Sequence, residues 1–396
     1  MSRIMVVGGG EWQIPIIKKA RSMGHIVICS NLYPDSPAFS YADICEVADV
    51  LNREQNLHIA QIHKPDAIIT DQSDIAVTTV AWLCEKLSLH GIGSDIAELF
   101  TNKYKMRLFC KTHGFPSPDF HLCATAFDAY PMLEQHGRIV IKPIDSQSSR
   151  GVFLIETRQE LDLAFPISMG FSNFSKMVLA EQYVDGTEFT VDGIQTHGGY
   201  HVLAISEKKH YPDYPNIARS LLFEHDNPQY SYEALEALNL DMVKQMGFPF
   251  GLTHAEYKYS QGEFYLIEIA ARGGGTRISS DIVPFMSGVD SNGLYIQMAL
   301  GQVVEVVPKR ILSRCAILRF MDFAPGRVKE IWGLDKVAGM NGVLTVSISC
   351  KEGGEILPMS DDRSRPGYYI AYADHRDDLL DLSDKVDATI QIVYDR

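Results

Sequence analysis

The stretch Leu252–Arg277, LTHAEYKYSQGEFYLIEIAARGGGTR, decides how the chain is read. At a period of two it is a β-hairpin. Tyr257, Tyr259, Tyr265, Ile267 and Ile269 fall on one face, and His254, Glu256, Lys258, Glu268 and Ala270 on the other, beside Phe264 and Leu266. The turn around Ser260-Gln261-Gly262-Glu263 can close in several ways. A three-residue loop puts Glu256 and Glu268 on one face, with Cβ atoms roughly 5–8 Å apart, whereas a two-residue loop puts them on opposite faces. Neighbouring carboxylates repel unless a cation lies between them. Mg²⁺ suits that place, since it takes oxygen ligands from one or two carboxylates and from substrate phosphates. Arg272 and Gly273-Gly274-Gly275 follow at once, where backbone can approach a ligand and N–H groups can face an anion. Together these features look like the end of a phosphoryl-transfer site. The plainer alternative is a hairpin whose polar face, with Glu256 and Lys258, meets water.

A chain of 396 residues holds two or three domains with a sizeable core. Its 46% hydrophobic and 22% charged content is ordinary for a globular protein, and a net charge of −14 argues against nucleic acid or an anionic membrane as partner. The seven cysteines are scattered, odd in number and lack a CxxC pair, which suits reduced thiols in a cytosolic enzyme. MSRIMVVGGG reads as a strand entering a glycine turn rather than a signal peptide, and no apolar run reaches the ~20 residues that span a bilayer. A cytoplasmic protein is the expectation.

Residues 1–95 alternate strand and helix: Arg3–Val7, Ile14–Met23, Ile26–Ser30, Arg53–His63, Asp66–Thr70 and about Ile75–Leu87. Such alternation predicts a parallel sheet covered by helices. Gly8-Gly9-Gly10 invites a dinucleotide site, but Gln13 stands where a third spaced glycine belongs and Ser30-Asn31 where an acidic residue would hold a ribose. A tight turn lining a substrate pocket is the better reading. Thr101–His113 reads as a helix stopped by Gly114 with Pro116 and Pro118 beyond, marking a domain junction. Lys103 near its start runs against the helix dipole and, taken alone, is a solvated surface residue.

Beyond Asp119 the pattern turns strand-rich. Arg138–Pro143 carries Lys142 at its end, the loop Asp145–Gly151 is rich in hydroxyls, and Val152–Glu156 is a strand. The loop is either a flexible flap that covers phosphates or an ordinary hairpin connection, and it does not match a P-loop. Val178–Val184 and Thr187–Val191 are strands around Asp185-Gly186. Glu181 and Glu188 there either serve a flat ring and two hydroxyls or simply meet water. After a strand over His201–Lys209, the Pro-rich HYPDYPNIARS predicts a mobile lid. Ser231–Gly247 and Asp290–Gly301 are helices. Residues 309–396 read as a separate region of short strands, with a helix at Asp377–Val386 and a last strand at Thr389–Tyr394. No Ser-His-Asp or Cys-His spacing stands out.

Taken in order, Lys103 before GFPSP, Lys142 in IVIKP, the flap ending in Gly151, EQYVDGTEFTVDG, and Glu256 with Glu268 before AAR resemble the ATP-grasp superfamily over roughly residues 1–305. The resemblance extends to its amino acid ligases and to its carbamoyl-phosphate-synthase and biotin-carboxylase-like members. It implies a mixed α/β and α+β fold: a parallel-sheet pre-ATP-grasp domain (1–95), an ATP-grasp domain (96–308) with 119–190 as the smaller, flap-bearing lobe, and a strand-rich C-terminal region (309–396) packed on it. ATP and Mg²⁺, or Mn²⁺, would be held between the lobes. Lys103 and Lys142 would contact phosphates, and Ser146, Ser148, Ser149 and Gly151 would close over the γ-phosphate. Glu181 and Val184 would line the adenine slot by backbone, and Glu188 would hold the ribose. Glu256 and Glu268 would bind the metal, and Arg272 would stabilise charge on an acyl phosphate. For substrate, the expected residues are Arg277, Lys208 and Gly274. A homodimer is a family expectation only.

The chemistry suits these residue types on its own terms. Moving a γ-phosphoryl group to a carboxylate, so that an amine can attack, needs positioning and charge neutralisation rather than a protein nucleophile. Ala270 stands where the family often has a further metal-ligating Asn. Some amino acid ligases look the same there, with an alanine pair before the arginine. PDSPAFSYAD (residues 34–43) instead resembles the aminoimidazole ribonucleotide carboxylase ATPase branch. The expected activity is an ADP-forming carboxylate–amine ligase acting on small molecules, quite plausibly amino acids. A purine-type carboxylase or formate-activating enzyme, a dinucleotide oxidoreductase and a non-catalytic nucleotide binder stand as alternatives.

Overall fold

The computed structural model describes residues 1–146, 149–172, 175–309 and 314–395. The N-terminal strands β1 (Arg3–Val7), β2 (Ile26–Asn31), β3 (Ile44–Val47) and β4 (Ala67–Ile69) form a parallel sheet in the order β3-β2-β1-β4. The central strand is apolar on both faces, with Ile4 through Val7 buried, as a sheet covered on both sides demands. Its helices are α1 (Ile14–Ser22), α2 (Arg53–His63) and α3 (Val77–Leu87). The glycine turn after β1 is occupied by the protein itself. Gln13 takes the Gly10 N–H and donates to the Asp71 carbonyl at 2.7 Å, and Ala38 N–H bonds the Gly9 carbonyl.

Next come α4 (Ser94–Thr101) and α5 (Lys103–His113), split at Asn102. Asn102 ends the first helix and caps the second by accepting the Lys105 N–H at 3.1 Å, so the expected helix begins at Lys103. A small lobe follows: β5 (Phe120–Cys123), β6 (Ile139–Pro143), β7 (Phe153–Ile155) and β8 (Val178–Gln182), antiparallel in the order β5-β8-β6-β7, packed on α6 (Ala126–His136) and α7 (Arg158–Gly170).

The main sheet has eight strands: β9 (Thr187–Thr196), β10 (Gly199–Tyr211), β11 (Tyr214–Glu224), β12 (Gly251–Ser260), β13 (Glu263–Ala270), β14 (Cys315–Phe320), β16 (Val343–Ile348) and β18 (Gly367–Ala373). Their order is β13-β12-β9-β10-β11-β14-β18-β16. Two expectations change here. The Pro-rich lid is a hairpin in which Tyr211 pairs with Tyr214 across Pro212-Asp213. The prolines sit at the turn, where a missing N–H costs nothing, and Ile217, Ala218 and Leu221 bury the rest. The C-terminal region, expected as short strands packed on the ATP-grasp domain, adds β14, β16 and β18 to the main sheet itself. β14 pairs with β11, Leu221 opposite Leu318, and continues the main sheet. Only β15 (Gly326–Trp332), β17 (Glu355–Ile356) and β19 (Gln391–Tyr394) stand apart, in the order β17-β15-β19.

In the β12–β13 hairpin the loop is the two-residue kind, Gln261-Gly262, both at positive φ (50° and 92°). By itself it would put Glu256 and Glu268 on opposite faces. A β-bulge corrects this: Tyr257 pairs with Leu266 but Glu256 pairs with Glu268, leaving Ile267 as the extra residue. The bulge also reverses part of the face assignment. Phe264 and Leu266 lie in the core with Tyr257, whereas Tyr265 lies opposite Lys258 and Ile267 faces the cleft. Sequence alternation is broken at one residue, and everything between turn and bulge changes sides.

Candidate active site

A cleft of about 140 Å³ lies between the small lobe and the main sheet. Val140, Lys142, Gln182 and Val184 line one end; Ser146, Glu256 and Glu268 line the other. At the first end α5 contributes Arg107, a side chain with no exposure at all. Its Nε lies 2.7 Å from Glu181 Oε1, and Lys142 Nζ lies 2.6 Å from Glu181 Oε2. Burial opposes the Glu181 charge, but Arg107 and Lys142 outweigh it and hold the carboxyl below its usual range. Burial pushes the Lys142 ammonium down. Arg107 Nη2 also donates to the Ile267 carbonyl at 2.6 Å, so the same guanidinium grips the bulge. Sequence reading missed Arg107, although it shares the buried face of α5 with Lys103, Met106 and Cys110.

At the other end Glu256 and Glu268 face each other across β12 and β13. Lys103, far from being solvated, is buried, donating to the Ser146 carbonyl at 2.6 Å and to Glu268 Oε1 at 2.8 Å. Lys208 Nζ lies 2.6 Å from Glu188 Oε1 and 3.1 Å from Glu256 Oε1. Burial works against its charge, yet Glu188 and Glu256 hold the ammonium well above its ordinary value. For Glu256, burial is likewise outweighed, by Lys208 and His254, and its carboxyl stays well below the usual range. The structure therefore places Lys208 inside the cleft, as the counter-ion shared by Glu188 and Glu256. His254 donates through Nδ1 to Asp192 at 2.9 Å and points Nε2 at Glu256, 3.8 Å away. Both His254 and Asp192 escaped the sequence reading. The period-two face that holds Glu256 was the available signal for His254.

Arg272 leaves the hairpin and forms a two-pronged ion pair with Asp74 of the N-terminal domain, at 3.1 and 2.8 Å. Beside it Gly273 N–H and Ser279 Oγ both donate to Asp71 at 2.9 and 2.8 Å, so one N–H expected to face an anionic ligand faces a buried aspartate instead. The signal for Asp71 and Asp74 was their place at the carboxyl end of β4, where ligands of parallel sheets gather. Gly274 is required by close packing: a Cβ there would stand 2.7 Å from Asp192 Oδ1. Arg277, expected at a substrate carboxylate, pairs with Asp281 at 2.5 Å and does not line the cleft. Of the flap residues, Ser146 is buried on the cleft, Ser149 lines it, and Gly151 is tightly packed against Phe171 and Pro143. Ser148 lies outside the described residues.

A second cavity of about 420 Å³ adjoins the cleft and shares Lys103, Ser146, Arg150 and Glu268 with it. Its far wall comes from the N-terminal domain, including Arg53, Asp74, Ile75 and Thr78.

A family model described as the ATP-grasp domain matches residues 136–281, the span from β6 through both carboxylates and Arg277. Residues 136–281 are thus an ATP-grasp domain. A second model, L-amino acid ligase C-terminal domain 2, matches residues 319–395. Dapdiamide A synthase of Enterobacter agglomerans is 25% identical over 294 residues, 69% of this chain and 67% of that protein. A formate-dependent phosphoribosylglycinamide formyltransferase of Bacteroides fragilis is 29% identical over 168 residues, 42% and 43% of the two chains. The crystal structure of an L-amino acid ligase from Bacillus licheniformis superposes with a TM-score of 0.84 at 22% identity, covering 100% of this chain and 99% of that one, a likeness of fold. Across the first three curated relatives the match covers 64%, 43% and 51% of their own length.

Proposed function

We propose that this ATP-grasp protein is an ADP-forming carboxylate–amine ligase that joins amino acids through an acyl phosphate. The observation that carries the reading is the directly paired Glu256 and Glu268, each already held against a lysine, both lining the cleft and Glu268 also lining the adjoining cavity. Among the described residues no group of three or more His, Cys, Asp or Glu is placed to hold a metal ion. A site offering only two carboxylates suits Mg²⁺ or Mn²⁺, which complete their shell with phosphate oxygens and water. The ion would neutralise charge on the transferred phosphoryl group.

In this reading the nucleotide occupies the 140 Å³ cleft. Val184 and the backbone beside Glu181 line the base, Glu188 faces the ribose, and Lys103 and Lys142 neutralise phosphate oxygens. The flap around Ser146, Ser149 and Gly151 excludes water from the terminal phosphate. The acid and the amine enter through the 420 Å³ cavity, which meets the cleft at Lys103 and Glu268. Arg272, fixed by Asp74, faces the charge that builds as the substrate carboxylate attacks phosphorus and again as the amine attacks the acyl carbon. No protein nucleophile is needed.

Amino acids are favoured as substrates by the C-terminal match to an amino acid ligase domain and by Ala270-Ala271 before the arginine. A purine-type formyl or carboxyl activation is the second reading, favoured by the formyltransferase relative and the PDSPAFSYAD stretch. A cytoplasmic homodimer completes the proposal: all seven cysteines are free, and among the described residues no helix is long and apolar enough to cross a membrane. The test is ADP release from MgATP by purified protein over amino acids, singly and in pairs, against formate with purine ribonucleotides. ADP formation dependent on an amino acid pair is expected. Dependence on formate or bicarbonate instead would overturn the substrate class.

A further inference from the structure

The C-terminal segment reaches the edge of the cleft. The short turn Asp362–Ser364 stands beside the flap, and its Asp362 Oδ2 lies 3.0 Å from the hydroxyl of Ser149. The same hydroxyl lies 3.2 Å from the carbonyl of Asn216 on β11, so one donor is shared by two acceptors from outside the small lobe. Ser149 itself holds a left-handed backbone, φ 57°, a conformation that non-glycine residues rarely adopt.

The mount of the turn is firm. Arg365 donates from Nε to the Asp362 carbonyl at 2.7 Å, and its Nη1 lies 3.1 Å from Asp362 Oδ1 and 3.3 Å from the Ala218 carbonyl of β11. Its guanidinium sits 3.4 Å over the Phe320 ring of β14. Asp361 caps the turn and grips Arg363 at 2.7 and 3.2 Å. Strands of the main sheet thus carry a carboxylate that touches the flap of the opposite lobe.

We infer that Asp362 is a positioning residue: it holds Ser149, and with it the 149–151 arm of the flap, down across the mouth of the cleft. A nucleotide enters or leaves only when this bond breaks. The C-terminal segment therefore has a function at the site although it contributes no residue to the phosphate end. The inference rests on the nucleotide reading for its consequence, but not for its geometry.

Trypsin offers a direct test, because the arm contains the Arg150–Gly151 bond. In the full chain without nucleotide, Asp362→Ala should raise cleavage at that bond about tenfold, the effect of losing one charge-assisted hydrogen bond on the open population. Asp362→Asn keeps an acceptor oxygen and should stay within about threefold of wild type. Release of a fluorescent ADP analogue should quicken in the alanine variant and recover in the asparagine one. Wild-type cleavage in Asp362→Ala, equal cleavage in both variants, or a rise at every tryptic site alike would overturn the inference. If the wild-type protein fails to bind the ADP analogue with Mg²⁺, the nucleotide reading falls while the proteolysis comparison still decides the role of Asp362.

Discussion

The two ends of the cleft handle charge in opposite ways. At the base end, Arg107, Glu181 and Lys142 have side-chain exposures of 0%, 4% and 6%, and they neutralise one another away from water. At the end proposed for the metal, Glu256 and Glu268 are 27% and 31% exposed, and each leans on a lysine. A dry triad is expensive to disturb and stays put. A half-wet pair costs little to open and can accept a ligand. In the proposed reading the first is the firmer end, which fixes Lys142 and the strand beside Glu181, and the second is where the metal would enter, though both are built from the same residue types.

Four substitutions break or sharpen that contrast. Glu268→Ala should cut ADP release by about 10³-fold, the scale of losing a transition-state charge contact, with the fold intact by circular dichroism. Retained turnover would remove the metal end from the chemistry. Arg107→Met leaves Glu181 with one buried partner and frees the bulge carbonyl, so unfolding in urea should show a loss of about 3–5 kcal/mol. An unchanged midpoint would mean the triad is no scaffold. Lys208→Met strips the shared counter-ion from Glu188 and Glu256 and should weaken MgATP binding about 30-fold by calorimetry.

The smallest effect concerns His210, 3.4 Å from Glu188. Burial lowers its pKa more than Glu188 raises it, so the folded chain prefers the neutral ring. The unfolded chain takes up the proton first, near 6.5. His210 therefore contributes stability above pH 6.5 that is lost as pH falls through the lowered folded value. Denaturation midpoints measured from pH 7.5 to 5 should fall less steeply for His210→Gln than for wild type.

Much of this was legible in the sequence, and the reasons differ by region. The N-terminal alternation gave away its parallel sheet because each strand and helix is local. Glu256 and Glu268 stood out because carboxylates on neighbouring strands repel unless a cation lies between them, whereas Lys103 and Lys142 took their phosphate roles from the family resemblance. Ile267 did not, since a bulge depends on how one strand meets another rather than on its own residue. Phe264 and Leu266 were misplaced for the same reason. Arg107 was hidden by the habit of assigning charged helix residues to solvent. Asp71 and Asp74 acquire their meaning only when the glycine run, some 200 residues on, folds against them. The joining of β14 to β11 is likewise a long-range pairing that no local pattern announces.

That shared sheet limits how the molecule can be cut. A chain stopped at residue 308 would bare the β11 margin, with Leu221, Leu222 and Phe223 beside unpaired backbone groups. Such a flat rim recruits other chains, so the shortened protein should self-associate rather than behave as an independent nucleotide-binding half.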